Sequence, residues 1–267
     1  MLNETQVDAY LHRLTYQGPR RADLQTLTAL HQAHLQRIAF ENLDISLGKK
    51  LDLSTDALLD KLLRQGRGGF CYELNQAFAL LLETLGFGVS RLSACVHNGK
   101  DYGPDFDHML LLVSVDGQDY LADVGFGDCF RTPLRLGGEG VLELGLRYYL
   151  AVDDEQHYVL MQTRDDSVGH AQYRFSARAH PISDFFEMCE YQQTSPASHF
   201  TQKSICSIAT AKGRISISNN KCIITDEQGR HVHSIHNADE YRALLLEHFA
   251  MHLPVDTDIS KLLARHH

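Results

Sequence analysis

Through the first third of the chain apolar residues recur three and four positions apart, and then the rhythm changes. Residues 7–14 carry one such stripe, and residues 22–40 repeat it with Leu24, Leu27, Leu30, Leu35 and Ile38. That spacing lines one face of a helix with apolar side chains. Ser54 is the predicted N-cap of a helix reaching about residue 64, with Leu58, Leu59, Leu62 and Leu63 on its inner side. A glycine-rich break follows, Gly66-Arg67-Gly68-Gly69-Phe70-Cys71. Residues 72–85 then read as an apolar helix through Leu74, Ala77, Phe78, Leu81 and Leu82, stopped by Gly86.

From about residue 87 the pattern suits strands. Residues 89–96, 109–115, 120–124, 147–152, 158–162 and 173–176 are short runs rich in β-formers. Asp116-Gly117 is a hairpin signal between the second and third, and residues 98–105 read as a loop. The middle of the chain is expected to form a closed or nearly closed antiparallel sheet. Residues 181–191 favour neither state. After Ser195-Pro196, short strands are predicted at 204–209, 214–218, 222–225 and 231–235. Asn237 should cap a helix from 238 to about 249, and a last helical piece is predicted over 258–265. The class is α+β.

The chain has 267 residues and a formal net charge of −9, from 25 basic and 34 acidic side chains. That balance argues against nucleic acid as a partner, because neutralising phosphates takes clustered Lys and Arg. The longest basic runs are the pairs Arg20-Arg21 and Lys49-Lys50; a small phosphorylated ligand still fits. No apolar run reaches the roughly eighteen residues of a membrane helix, and residues 1–10 lack the pattern of a signal peptide. A cytoplasmic location is expected, with the six cysteines reduced. Sixteen histidines invite a metal reading. His248 and His252, and His231, His233 and His236, are close in sequence but come without H-E-x-x-H or C-x-x-C spacing. No metal site is expected.

Cys71 is the sharpest chemical feature, because it opens a predicted helix after a glycine break. Free N–H groups and the macrodipole at a helix start favour an anion, which is expected to lower the thiol pKa and populate the thiolate. The other cysteines read as space-filling. A thiolate catalyst needs a base, and the base an orienting group. His108 begins one strand of the Asp116-Gly117 hairpin and Asp123 ends the other. Pairing around that turn is expected to bring them within about a residue of opposite each other, close enough to touch.

Several segments then share a likeness. Ile38-Ala39-Phe40-Glu41-Asn42-Leu43 resembles the I-P-F-E-N-L segment of the arylamine N-acetyltransferases, with Ala39 in place of proline. Arg67 to Asn75 is similar to their R-G-G-x-C-x-E-x-N segment. His108 to Val113 resembles their histidine strand, and Asp123-Val124-Gly125-Phe126-Gly127 their D-V-G-F-G segment. Ser198-His199-Phe200, with Gly213-Arg214, is similar to a weaker C-terminal pattern.

The resemblance implies a helical bundle over 1–87, a β-barrel over 88–193 and an α/β lid over 194–267, around a cysteine-protease-like Cys-His-Asp core. It implies Cys71 as acyl acceptor, His108 as base and Asp123 as orienter. It also implies a supporting Arg67–Glu41 ion pair, with Phe40, Phe126 and Phe200 lining an amine pocket. Gly125, Phe126 and Gly127 would pass the thiol arm of acetyl-CoA. Lys100, Lys203, Lys212 and Arg214 are candidates for the CoA phosphates. Many relatives have Thr where this chain has Asp107; that carboxylate is expected on the strand face away from the site. The activity implied is ping-pong transfer from acetyl-CoA to arylamines or aryl hydrazines, in xenobiotic metabolism, without a metal. The residues leave three alternatives open: an amide synthase using another thioester, a papain- or transglutaminase-like Cys-His-Asp enzyme, and a ligand-binding protein on the same fold. Oligomeric state is not legible.

Overall fold

A computed structural model describes residues 1–154, 156–164 and 169–264. The N-terminal part holds helices α1 (Glu4–Arg13) and α2 (Leu24–Arg37), strand β1 (Phe40–Glu41), and helices α3 (Leu43–Ser46), α4 (Thr55–Leu59) and α5 (Cys71–Thr84). Side chains cap the first two: Asn3 accepts from the Gln6 N–H and Asp23 from the Thr26 N–H. Ser54 sits at the start of α4, but its side chain makes no cap bond, and α4 widens into a looser turn over Asp60–Arg64.

The helix expected over 22–40 stops at Arg37. Phe40 and Glu41 instead extend and pair with Ser207 and Cys206, far along the chain. The Glu41 N–H also donates to the Gly69 carbonyl (2.8 Å). Tertiary strand pairing here overrides a local helical pattern.

Strands β2 (Gly88–Val96), β3 (His108–Val115), β4 (Gln118–Ala122), β5 (Leu134–Arg135), β6 (Val141–Glu143), β7 (Leu146–Val152), β8 (His157–Thr163) and β9 (His170–Ser176) form one antiparallel sheet in the order β5-β4-β3-β2-β9-β8-β7-β6. The short strands β5 and β6 carry too few residues for a sequence pattern. The turn between β3 and β4 has positive φ at both Asp116 (51°) and Gly117 (74°), the geometry that follows the natural twist of a hairpin. Leu92, Leu110, Leu121, Leu134, Tyr148, Leu160 and Tyr173, from seven of these strands, meet in one buried cluster. The sheet therefore curls into a nearly closed barrel around them.

Strand β3 is buried on both faces, and its alternation serves two cores. Leu110 and Leu112 fill the barrel, whereas Met109, Leu111 and Val113 pack with α5 and the other helices. Helix α5 is buried at every position from Cys71 to Leu82, so it is the centre of the helical part rather than an amphipathic surface helix.

The ambiguous stretch at 181–191 is a tight turn, Ile182–Phe185, leading into α6 (Phe186–Thr194). Then come α7 (His199–Gln202), strands β10 (Ile205–Thr210), β11 (Gly213–Ser218), β12 (Lys221–Asp226) and β13 (Gly229–Ser234), and helices α8 (Ala238–Phe249) and α9 (Ser260–Leu263). The predicted last helix is thus shorter, and Arg265 lies outside the described residues. The second sheet runs β1-β10-β11-β12-β13. Cys206, Ile217 and Cys222 pack there against Tyr241, Leu245 and Phe249 of α8.

Asn237 caps α8 by accepting from the Glu240 N–H at 2.9 Å. Asn237→Ala should lower unfolding free energy by about 1 kcal/mol, read as a shifted urea midpoint at unchanged slope.

Candidate active site

Cys71 is the first residue of α5 and is buried. The start of that helix is held by charge. The Phe70 N–H donates to Glu73 Oε2 (3.0 Å), and Glu73 Oε1 meets Lys61 Nζ at 2.7 Å. Lys61 also pairs with Asp44 (2.9 Å), Asp44 with Arg67 (3.1 Å), and Arg67 with Glu41 (2.7 Å). The expected Arg67–Glu41 pair is therefore one end of a buried five-residue chain. Burial pushes the Glu73 carboxyl up, with Lys61 opposing. Burial also acts to raise Asp44, but Lys61 and Arg67 outweigh it and hold that carboxyl below its ordinary range. Removing one member would strand a buried charge, which is strongly destabilising.

Asp123 lies one residue beyond β4 and is fully buried. Its Oδ2 accepts from His108 Nε2 (2.7 Å) and from the Tyr173 hydroxyl (3.0 Å). Its Oδ1 accepts from Asn75 Nδ2 (3.0 Å) and the Gly125 N–H (2.9 Å). Burial acts to raise this carboxyl; His108, Asn75 and the Gly125 N–H prevail and keep it below its ordinary value. With Nε2–H given to Asp123, Nδ1 is the His108 nitrogen that carries a lone pair. The hairpin register differs from the expectation. Leu111 pairs with Ala122, so continuing it sets Asp123 opposite Leu110, two residues from His108. Diagonal neighbours on one face still meet.

The D-V-G-F-G loop returns tightly over α5. A Cβ at Gly125 would stand 2.7 Å from Cys71 Cα and 2.6 Å from Asn75 Nδ2, so only glycine lets this backbone approach Cys71 so closely. His31 of α2 supports the loop from behind. Its Nε2 accepts from the Asp123 N–H (3.0 Å) and its Nδ1 donates to the Arg131 carbonyl (2.8 Å). Burial lowers the His31 pKa, in keeping with that neutral form.

Cys71, His108 and Gly125 line a cavity of about 400 Å³, whose apolar walls include Phe40, Phe126 and Phe200. Gly127 does not border it, but a Cβ there would lie 3.6 Å from the Phe40 ring. The Phe126 ring packs edge-on to His108, with centroids 5.1 Å apart. Of the four candidate cations, Lys203 borders this cavity. Lys212 and Arg214 line a different one of about 410 Å³, where Arg214 pairs with Asp128 (2.9 Å), and Lys100 sits on an exposed loop.

Two further expectations change. Asp107 does not face away: it borders the Cys71 cavity, and its Oδ1 accepts from Gln192 Nε2 at 2.6 Å. Asp107 stands in the bend just before β3, outside the strand's alternation, so it and the adjacent His108 border the same cavity. Burial raises the Asp107 carboxyl, against His108, the Val96 N–H, His199 and Gln192. Nor does the helix start by itself make Cys71 acidic. Burial pushes its thiol well above the ordinary value, with a backbone hydrogen bond from Met109 opposing. The desolvation of a buried sulfur outweighs the helix terminus.

His31, Tyr173 and Gln192 escaped the sequence reading. Each falls on a regular apolar or polar run, and its partner lies at least 50 residues away. Asn75 stood in the quoted R-G-G-x-C-x-E-x-N segment, yet its bonds to Asp123, the Met109 carbonyl (2.6 Å) and the Val124 N–H (3.0 Å) need the fold. Among the described residues no group of three or more His, Cys, Asp or Glu is placed to hold a metal.

Residues 23–258 match the N-acetyltransferase sequence family. Human arylamine N-acetyltransferase 1 is 34% identical over 228 residues, covering 78% of this chain and 79% of that protein. The arylamine N-acetyltransferase of M. smegmatis superposes with a TM-score of 0.88 at 29% identity, over 99% of this chain and 98% of that one. The Mycobacterium marinum enzyme, solved in complex with CoA, superposes with a TM-score of 0.86 at 30% identity, over 97% of each chain. The chain belongs to the arylamine N-acetyltransferase family.

Because Asp123 is held below its ordinary value, it adds stability that is full above about pH 4 and is lost as pH falls through the lowered native value. Unfolding free energy should drop on acidification below pH 4, and Asp123→Asn should flatten that drop by up to about 1.4 kcal/mol per pH unit. Asp44 titrates in both proteins and cancels. Equal slopes in urea titrations from pH 5 to 2 would refute this.

Proposed function

We propose that the chain moves the acetyl group of acetyl-CoA onto an arylamine or aryl hydrazine through an acetyl-cysteine at Cys71. One observation carries this reading: Cys71 and His108 open onto the same cavity, and the Asp123 carboxylate lies 2.7 Å from the far nitrogen of that imidazole. Family membership supports the substrate class, and the CoA held by the M. marinum neighbour supports the donor.

In this scheme His108 Nδ1 takes the Cys71 proton as the sulfur attacks the thioester carbonyl. Asp123 stabilises the imidazolium. First-turn N–H groups of α5, which lack intrahelical acceptors, face the growing oxyanion. The carbonyl re-forms, the C–S bond to CoA breaks, and His108 returns the proton to the CoA thiol. The amine then attacks the acetyl-cysteine carbonyl. His108 takes one proton from the nitrogen and passes it to the departing Cys71 sulfur, so the enzyme ends as it began.

Phe40, Phe126 and Phe200 hold the aryl ring, the backbone of Gly125, Phe126 and Gly127 passes the thiol arm, and Lys203 meets a phosphate. Arg67 and Glu41 support the site through α3 and the start of α5. We divide the chain into a helical bundle over 1–87, a barrel over 88–193 and a lid over 194–267. Six unpaired cysteines suit a reducing compartment, which supports a cytoplasmic role in xenobiotic metabolism. No helix among the described residues is long and apolar enough to cross a membrane.

Acetyl-CoA alone should add one acetyl group to the intact mass of the wild type within seconds, and none to Cys71→Ala. An arylamine should discharge it. Steady CoA release with no adduct would overturn the covalent scheme in favour of direct hydrolysis. Asp123→Asn should lower kcat by up to about 10⁴-fold, read in the same assay as slower acetylation.

A further inference from the structure

The cavity over Cys71 carries a charge pattern that the transfer chemistry leaves unused. Cys71 and His108 form its buried end, and His199 and Lys203 are its exposed members. Asp107 is intermediate in exposure, between the two. It is not a loose surface carboxylate. Oδ1 accepts from Gln192 Nε2 at 2.6 Å. Gln192 is itself buried and fixed by Ser198, whose hydroxyl donates to Gln192 Oε1 at 2.6 Å. This amide partner is neutral, so the charge of Asp107 is presented to whatever occupies a cavity walled by aromatic rings. In such surroundings charge–charge interactions are weakly screened.

We propose that Asp107 sets the charge selectivity for the acetyl acceptor: it admits neutral and cationic arylamines and hydrazides and turns away arylamines bearing a carboxylate. The proposal rests on Cys71 carrying the acetyl group. Lys203 does not cancel the effect, because its ammonium is solvent-exposed and screened, whereas the aryl ring must pass beyond it to reach the acetyl-cysteine. A neutral amide or an amidinium in place of the carboxylate gives Asp107 an N–H donor. An anion gives it repulsion and lost hydration.

The test uses three acceptors of nearly the same shape: para-aminobenzoate, para-aminobenzamide and para-aminobenzamidine. The enzyme is first charged with acetyl-CoA, the adduct is verified by mass, and discharge by each amine is timed. The carboxylate withdraws the least electron density from the amine, so intrinsic reactivity favours para-aminobenzoate. We expect the reverse order, with the amide at least about tenfold faster than the carboxylate in kcat/KM, or about 1.4 kcal/mol. Asp107→Asn should narrow that ratio by about tenfold and Asp107→Glu should keep it. Wild-type discharge by the carboxylate as fast as by the amide overturns the proposal, whether or not the variants fold. So does an unchanged ratio in an Asp107→Asn protein that acetylates. A wild type that takes no acetyl group from acetyl-CoA refutes the underlying transfer scheme, and that failure shows before any amine is added.

Discussion

The constraint on which this structure turns is the buried carboxylate of Asp123. A carboxylate removed from water must have its oxygens filled by donors. Here the donors come from separate elements: His108 from β3, Asn75 from α5, Tyr173 from β9 and the Gly125 N–H from the loop beyond β4. Satisfying one anion therefore fixes helix, hairpin, far strand and loop against each other. The same bonds that keep Asp123 ionised orient the His108 ring. Folding and site assembly are one event at this point.

A second set of buried charges fixes the other partner. Glu41, Arg67, Asp44, Lys61 and Glu73 run as a chain of ion pairs to the Phe70 N–H. The final link holds the amide just before Cys71. Such a network adds little net stability, since desolvation offsets attraction. What it supplies is position: the first turn of α5 cannot shift without leaving a charge unpaired. The sulfur it positions is buried, and desolvation there opposes the thiolate.

The three parts of the chain are not independent bodies. Strand β3 sends alternate side chains into the barrel and into the helical core. Phe40 and Glu41, from the N-terminal part, form an edge strand of the C-terminal sheet. Asn42 reinforces that seam, donating to the Phe200 and Lys203 carbonyls and accepting from the Ile205 N–H. The cavity lies where all three meet, so its walls draw on residues from Phe40 to Ile205.

Much of this was legible in the sequence wherever the signal was local. Periodicity placed α5, the β3–β4 hairpin and the β10–β13 strands to within a few residues, and Asn237 marked the start of α8. The glycine break before Cys71 and the Asp116-Gly117 turn announced where a thiol, an imidazole and a carboxylate gather. The long-range partners were not legible. Nothing near Phe40 shows that it pairs with Ser207, nothing near His31 that it accepts from Asp123, and nothing near Asp107 that it meets Gln192. The sequence by itself determined the elements and the residue types that can do the chemistry, because dihedral preference and side-chain period act over a few residues. Tertiary structure alone decided which groups share a cavity, which are dry and which way Asp107 points. Burial and hydrogen-bond satisfaction are properties of surfaces brought together from distant parts of the chain.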